Sequence, residues 1–174
     1  NFVNCTDGTP FEPVTVPHSG SAGSLNLFQA TAFSTNTDFV TLPERLGLCR
    51  QAEIAGGSGV RLATGDPRPR WPPFSLGTME VTPLSMAGAY AAFANHGTYC
   101  APRVVLEIKD RYGNGISVPD PRCREVLSRN VADAVTGVLT SVIDGPFTGR
   151  TAAAISLPDR AAAGQTASNH DNAA

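Results

Sequence analysis

The chain has 174 residues, a formal net charge of −2 and a hydrophobic fraction of 41%. This length is sufficient for one domain with its own core, and the near-neutral charge gives no electrostatic basis for binding nucleic acid or an anionic membrane. The sequence has no apolar run of about 18 residues, the length that a membrane-spanning helix needs. The chain begins with Asn1 rather than Met and without the features of a signal peptide, so we expect it to start inside a longer protein.

The first part of the chain predicts short helices separated by loops. Residues 1–23 are rich in Gly, Pro, Ser and Thr, which is typical of an irregular segment. The spacing of apolar residues predicts helices over residues 25–33, 38–46 and 50–56. Residues 57–75 carry Gly, Pro and Arg without periodicity and therefore predict a loop.

The clearest helix signal covers residues 83–95. Thr82 is a favourable N-cap, Pro83 suits the first helical position, and Gly97 suits the C-terminal stop. An apolar stripe follows the helical spacing along this segment: Leu84, Ala87, Tyr90, Ala91 and Ala94. Taken alone, these features indicate an ordinary amphipathic helix.

A β-hairpin is predicted over residues 102–118. Residues 103–109 have the composition of a strand, and residues 116–118 are the expected return strand. Between them, residues 112–115 read Tyr-Gly-Asn-Gly, which is typical of a tight turn. The hairpin follows the helix at residues 83–95, so helices and strands are mixed along the chain.

The last part of the chain predicts a long helix and a final strand. Ser128 is the expected cap of a helix over residues 129–143. Apolar side chains fall on one face of this helix: Val131, Ala132, Val135, Val138 and Leu139. Residues 150–155 add a helical turn, and residues 160–168 predict a strand. The whole pattern predicts an α+β fold.

The four cysteines are Cys5, Cys49, Cys100 and Cys123. They lack the C-x-x-C spacing of zinc ribbons and redox motifs, and the three histidines are scattered, so we expect no metal site. Buried free thiols and two disulfides are both compatible with these positions. We favour disulfides because Cys100 and Cys123 bracket the predicted hairpin, whereas Cys5 and Cys49 bracket the predicted helices. Disulfides persist in an oxidising, extracytoplasmic setting.

The first candidate for chemistry is the S-x-N triplet Ser34-Thr35-Asn36. The pattern also occurs at Ser24–Asn26 and Ser128–Asn130, so the triplet alone carries little information. Context separates the three, because only Ser34 and Asn36 lie in a tight connection between two predicted helices. The alternative is that Ser34 and Asn36 simply cap the ends of those helices.

The second candidate is the segment Ala163-Gly164-Gln165-Thr166-Ala167-Ser168 in the predicted last strand. Together with the S-x-N triplet, followed here by Thr37-Asp38-Phe39, it resembles the motifs of penicillin-binding transpeptidase domains. The stretch from Phe74 to Gly97 resembles the loop and helix in the middle of such domains. The family pattern at the second candidate is A-G-K-T-G-T or A-G-K-T-G-S, so Gln165 stands at the lysine position and Ala167 at the glycine position.

The resemblance covers roughly residues 1–172 and is greatest to bifunctional, class A penicillin-binding proteins. The Tyr99-Cys100 and Arg122-Cys123 placements resemble actinobacterial members in particular. The resemblance implies a serine β-lactamase-like transpeptidase fold, with helices packed on an incomplete antiparallel sheet. It also implies peptidoglycan stem peptide and β-lactams as ligands, no cofactor, and an extracytoplasmic location with any membrane anchor outside this chain.

The same resemblance assigns the site residues. Ser34 and Asn36 are the expected catalytic residues. The expected substrate-binding residues are Gln165, Thr166, Ala167 and Ser168, with the Ser168 N–H as one oxyanion donor. A lysine would bind the substrate carboxylate through its charge, whereas Gln165 can only hydrogen-bond. The methyl group of Ala167 would crowd a substrate backbone that a glycine admits.

The family's nucleophile motif, S-x-x-K, does not occur in the sequence, whose one lysine is Lys109. We therefore expect residues 1–174 to be a partial transpeptidase domain that lacks the upstream S-x-x-K segment and the terminal strands. Without an activated serine, the isolated chain cannot form an acyl-enzyme. The first hypothesis is accordingly a fragment of a D,D-transpeptidase. The alternatives are a degenerate, non-catalytic relative that binds stem peptide or a cell-wall partner, and an unrelated secreted α+β binding domain.

The bracketing argument predicts the disulfide pairs Cys5–Cys49 and Cys100–Cys123. Bridging requires Cα atoms within about 7 Å of each other. Non-reducing peptide mapping should recover both cross-linked peptide pairs. Recovery of Cys5 joined to Cys100, or of four free thiols, would contradict the pairing and weaken the case for an extracytoplasmic location.

Overall fold

The computed structural model describes residues 2–4, 7–11, 23–63 and 72–167. Within these ranges the helices, in chain order, are α1 (Leu27–Ala32), α2 (Asn36–Leu46), α3 (Leu48–Gly57), α4 (Pro83–Ala94) and α5 (Arg129–Ile143). The strands are β1 (Thr98–Cys100), β2 (Ile108–Lys109), β3 (Gly115–Ile116) and β4 (Cys123–Glu125). Two short 3₁₀ helices span Pro72–Leu76 and Ala153–Ile155. The α+β class and the five predicted helices are confirmed.

Local capping explains where two of the helices begin. The Thr82 side chain accepts a hydrogen bond from the Ser85 N–H at 3.2 Å, and Pro83 occupies the first turn of α4. At the start of α1, the Asn26 side chain accepts from the Gln29 N–H at 3.0 Å, and the Gln29 side chain accepts from the Asn26 N–H at 3.1 Å. This reciprocal capping satisfies donors that the first turn of a helix leaves unpaired.

Helices α1 and α5 pack against each other through small side chains. Ala30 and Ala32 of α1 are 2% and 0% exposed, and Ser141 of α5 is 5% exposed. The Ser141 hydroxyl of α5 lies 2.6 Å from the Val138 carbonyl oxygen of its own helix and 3.2 Å from the Phe28 carbonyl oxygen of α1, and it shares its one proton between them. At the end of α5 the core continues with a cluster of Val142, Ile143 and Ala152. None of the helices in the described ranges is both long and apolar enough to cross a bilayer.

The strands form two separate antiparallel pairs. β1 pairs with β4 so that Cys100 lies opposite Cys123, and these two cysteines form a disulfide. β2 pairs with β3, with Ile108 opposite Ile116. Cys49 is also disulfide-bonded, but its predicted partner Cys5 lies outside the described residues. The Cys100–Cys123 bridge is therefore confirmed, and the Cys5–Cys49 pair stays a prediction.

Two strand predictions are wrong: one strand is shorter than predicted, and the other is absent from the described residues. The predicted strand over residues 103–109 is reduced to Ile108–Lys109, because the residues before it have no partner strand among the residues described. The predicted strand over residues 160–168 is absent from its described part, residues 160–167, which is irregular. A strand needs a neighbour with which to exchange hydrogen bonds, and no neighbouring strand lies beside this segment in the part of the chain that the structure describes. Ser168 lies outside the described residues.

Gly97 occupies a position that requires glycine for two reasons. Its φ is +90°, in the left-handed region, and an added Cβ would lie 2.1 Å from the Leu127 carbonyl oxygen. Its own carbonyl oxygen accepts from the N–H groups of Val126 and Leu127, at 2.9 and 3.2 Å. Gly97 therefore lets the turn after α4 pack directly on the connection between β4 and α5.

We predict that Gly97→Ala lowers the free energy of unfolding by about 2–5 kcal/mol, from roughly 1–2 kcal/mol of left-handed strain and roughly 1–3 kcal/mol of overlap. Gly149→Ala is the matched control, because Gly149 also has a positive φ, of +86°, but no atom within 4 Å of an added Cβ. Gly149→Ala should lower the free energy of unfolding by the left-handed strain alone, roughly 1–2 kcal/mol. Urea unfolding of both variants measures the difference, and equal losses would contradict the close contact at Gly97.

Candidate substrate-binding site

Ser34 lies at the end of α1 in a left-handed backbone conformation, with a φ of +54°. Its N–H donates to the Thr31 carbonyl oxygen at 3.1 Å, and the Thr35 N–H donates to the Ala30 carbonyl oxygen at 3.0 Å. This pair of bonds is a Schellman motif, the usual way in which a helix ends in a left-handed residue. A residue with a Cβ costs roughly 1–2 kcal/mol in this conformation compared with the right-handed one.

His96 has the same geometry at the end of α4, with a φ of +51°. Its N–H donates to the Phe93 carbonyl oxygen, and the Gly97 N–H donates to the Ala92 carbonyl oxygen. The positive φ of Ser34 is therefore a consequence of how α1 ends and is not by itself a functional mark. What distinguishes Ser34 is the side chain that its hydroxyl meets.

The Ser34 hydroxyl contacts Gln165, which lies 131 residues further along the chain. The Gln165 Nε2 donates to the Ser34 Oγ at 3.2 Å. Next to it, the Thr166 hydroxyl donates to the Thr151 hydroxyl at 2.8 Å. The structure thus brings the two motifs singled out in the sequence to one place, although the second is irregular rather than a strand.

The Gln165 segment is positioned by the ends of α1 and α5. The Thr151 N–H donates to the Ala32 carbonyl oxygen at 2.9 Å, which fixes Thr151 beside the end of α1. The Gly164 N–H donates to the Leu139 carbonyl oxygen of α5 at 3.3 Å. A Cβ added at Gly164 would lie 3.2 Å from the Ile143 Cδ1, so a small residue suits the contact with α5.

Asp144, immediately after α5, holds the preceding part of the same segment. One carboxylate oxygen accepts from the Ser156 hydroxyl at 2.5 Å, and the other accepts from the Ala162 N–H at 2.9 Å. The hydrogen bond from Ser156, the backbone hydrogen bond from Ala162 and the charge of Arg150 lower the pKa of Asp144 below its ordinary value of 3.8. The ionised carboxylate thus links the end of α5 to residues 156 and 162.

Two buried polar atoms beside this contact have no hydrogen-bond partner within the described residues. They are the Gln165 Oε1 and the Thr35 Oγ1, and Thr35 as a whole is 3% exposed. A buried polar atom without a partner is unfavourable by about 1–3 kcal/mol. The Gln165 amide therefore donates through its nitrogen to Ser34, while its oxygen is buried without a hydrogen-bond partner in the described residues.

The remaining candidate residues have different positions. Asn36 is the first residue of α2 and is half-buried, and Ala167 is exposed at the end of the described segment. Ser168 cannot be placed, because it lies outside the described residues. No group of three or more His, Cys, Asp or Glu side chains in the described ranges could hold a metal ion.

Sequence reasoning missed two residues that position the site. Thr151 lies in the helical turn predicted over residues 150–155, and the sequence motifs assign no role to Asp144. Their contacts with Thr166 and Ala162 join parts of the chain that no local pattern connects. A single acidic residue directly after a long predicted helix was the one available signal for Asp144.

We predict that acidification loosens the segment held by Asp144. Because the folded-state pKa of Asp144 is lowered, its stabilising contribution is present above pH 3.8 and is lost as the pH falls through the lower, folded-state pKa. The hydrogen-exchange protection factor of the Ala162 amide should fall in that range. Asp144→Asn should remove this dependence, because an amide does not titrate. Identical pH profiles for the two proteins would contradict the role of Asp144.

Comparisons with known proteins identify the family of this chain. A family model described as the penicillin binding protein transpeptidase domain matches residues 3–166. Penicillin-binding protein 1A of Aquifex aeolicus is 33% identical over 150 residues, which is 86% of this chain and 19% of that protein. Penicillin-binding protein 1A of Clostridium acetobutylicum is 28% identical over 169 residues, covering 96% of this chain and 20% of that protein. The chain spans about a fifth of the length of these relatives.

A solved structure shows the same fold. It is the crystal structure of penicillin binding protein 3 from Mycobacterium tuberculosis, complexed with ampicillin. The match has a TM-score of 0.55 and 24% identity and covers 67% of this chain and 30% of that one. The family match extends over nearly the whole chain and includes both Ser34 and Gln165. This chain belongs to the penicillin-binding protein transpeptidase domain family.

Proposed function

We propose that residues 1–174 are part of a peptidoglycan D,D-transpeptidase domain and contribute two motifs to one substrate site. The observation that carries this proposal is the hydrogen bond from the Gln165 Nε2 to the Ser34 Oγ at 3.2 Å. It joins the S-x-N triplet to the segment that corresponds to K-T-G in the family. The match to the family model over residues 3–166 supports the same reading.

In this proposal the residues have distinct roles. Ser34 and Asn36 are the catalytic pair that contacts the reacting groups. The substrate-binding residues are Gln165, Thr166, Ala167 and Ser168, whose hydroxyl and amide groups contact a peptidoglycan stem peptide or a β-lactam. The Thr166 hydroxyl is held by Thr151 at 2.8 Å, which restricts its direction before a ligand arrives.

The covalent step requires a nucleophile from elsewhere. A serine acyl-enzyme needs a serine with a neighbouring base, and the sequence contains no S-x-x-K. We propose that the nucleophile segment and the terminal strands belong to chain beyond these residues. The 174-residue polypeptide by itself is then inactive. Its location in the cell envelope, with any membrane anchor outside this chain, is supported by the Cys100–Cys123 disulfide.

The alternative function is non-catalytic binding of stem peptide or of a cell-wall partner. The observation that favours it is the neutral side chain at position 165, whose Oε1 is buried without a hydrogen-bond partner in the described residues. A lysine offers a charge and three donors, whereas a glutamine offers two donors and an acceptor and no charge. Such a site retains hydrogen bonds to a ligand but loses the attraction for a carboxylate.

Acylation by a fluorescent penicillin tests the proposal. We expect no covalent labelling of the purified 174-residue chain, because its serine residues lack the S-x-x-K arrangement. A longer protein that contains an S-x-x-K segment should be labelled at that serine. Labelling of the short chain would contradict the assignment of the nucleophile, and reversible binding without labelling of the longer protein would favour the alternative function.

Reversion of position 165 in the longer protein tests the site itself. Gln165→Lys together with Ala167→Gly should raise the acylation rate about ten- to hundred-fold, since a hydrogen bond to a charged group contributes ~1.5–3 kcal/mol. Gln51→Lys is the matched control for added charge. Gln51 lies on α3, where its Oε1 accepts from the Ser75 hydroxyl at 3.0 Å. An unchanged rate for the reversion, or an equal rise for the control, would contradict the role of residues 165 and 167.

A further inference from the structure

The segment between β1 and β4, residues 101–122, extends away from the core. We call this segment the arm. Most of its residues are exposed, and Val104 is 100% exposed. Its base is closed by the Cys100–Cys123 disulfide, and its outer part is the β2–β3 hairpin. The arm therefore has a fixed base, whereas its apolar side chains contact solvent.

Residues 102–107 of the arm have unused backbone hydrogen-bonding groups. Neither the N–H groups of residues 103–107 nor the carbonyl oxygens of residues 102–107 form a backbone hydrogen bond within the described part of the chain. The backbone bends at Val104 and Leu106, so the segment is not a strand in a single copy. Residues 102–107 directly precede β2. Extending their backbone into a strand would break no backbone hydrogen bond within the described residues. The segment can therefore lengthen β2 if a second strand supplies the missing partners.

The sequence of residues 103–107, Arg-Val-Val-Leu-Glu, is complementary to itself in an antiparallel pair. Pairing two copies about Val105 places Arg103 opposite Glu107 at both ends and Val104 opposite Leu106 on both sides. Opposite charges and apolar side chains in directly opposed positions both stabilise antiparallel strands. Arg103 has no ion pair within the described residues, and the pair that Glu107 makes with Lys109 is exposed and therefore weak.

The apolar side chains favour the same arrangement. Val104 is fully exposed, Leu106 is 70% exposed and Val105 is 46% exposed, so each has surface that a partner can cover. Ile108, the next alternate position, already lies opposite Ile116 of β3. A two-stranded hairpin is marginally stable by itself, and additional strands with an apolar face stabilise it.

We propose that residues 103–107 pair antiparallel with the same residues of a second copy of this chain. The two-fold axis passes through Val105, and the contact joins two β2–β3 hairpins into one four-stranded sheet. Each copy contributes the same patch, so the interface closes on itself and forms a dimer rather than a fibre. The paired surface is small compared with that of a stable dimer, so association is weak and reversible.

Charge reversal combined with sedimentation velocity tests this pairing. At low ionic strength, where exposed ion pairs are least screened, the 174-residue chain should form a dimer as its concentration rises. Arg103→Glu alone and Glu107→Arg alone each replace both attractive pairs with like charges, so each should raise the dimer dissociation constant about tenfold or more. Arg111→Glu, the same charge change in the turn beyond the paired segment, should leave the dissociation constant unchanged.

Recovery experiments separate specific pairing from general effects of charge. An equimolar mixture of the Arg103→Glu and Glu107→Arg variants restores opposite charges at both ends and should form mixed dimers. The double variant should dimerise as the original chain does. A chain that stays monomeric at all concentrations, equal effects of Arg103→Glu and Arg111→Glu, or no recovery in the mixture would each overturn the proposal.

Discussion

The packing of α1 on α5 positions everything else that the candidate site uses. The two helices approach closely beside small buried side chains: Ala30 and Ala32 of α1 are at most 2% exposed, and Ser141 of α5 is 5% exposed. The buried Ser141 hydroxyl shares its proton between the Val138 carbonyl oxygen of α5 and the Phe28 carbonyl oxygen of α1, at 2.6 and 3.2 Å. Closely packed small residues tolerate little added volume, so the relative position of the helix ends is narrowly fixed. Ser34 follows one of those ends and Asp144 follows the other.

The site is accordingly built from helix ends and the loops between them. Ser34 is oriented by the Schellman motif at the end of α1, and Gln165 reaches it from a segment held by Asp144 and Thr151. None of these contacts depends on a strand at residues 160–167. Hydrogen bonds at helix ends therefore position the Gln165 segment, and the Gln165–Ser34 contact forms within the described residues.

The sequence predicted the helices well because their signals are local. Thr82 and Pro83 mark the start of α4 within a few residues, and Gly97 follows its end in a left-handed conformation. A strand is different, because its hydrogen bonds go to residues that are distant in sequence. The strand predicted over residues 160–168 is rich in Ala and Gly, which are depleted in strands, and it has no neighbouring strand in the described part of the chain.

The sequence predicted only those residues of the candidate site that belong to a motif of the family. Ser34 and Gln165 were found through the S-x-N and K-T-G resemblance, and they are in contact in the structure. Thr151 and Asp144 belong to neither motif, and their partners lie 15 and 18 residues away in the chain. No short-range rule of capping or periodicity connects such pairs, so only the tertiary structure shows them.

Gln165, at the position where the family resemblance implies a lysine, separates geometry from electrostatics. The Gln165 Nε2 still donates to the Ser34 Oγ, so the connection between the two motifs does not need a positive charge. The Gln165 Oε1 is a buried acceptor without a partner in the described residues, which a lysine could not be. Leaving that oxygen buried without a partner is unfavourable by about 1–3 kcal/mol. The contact between the two motifs therefore forms with a neutral side chain at position 165, although one polar atom of that side chain stays unpaired within the described residues.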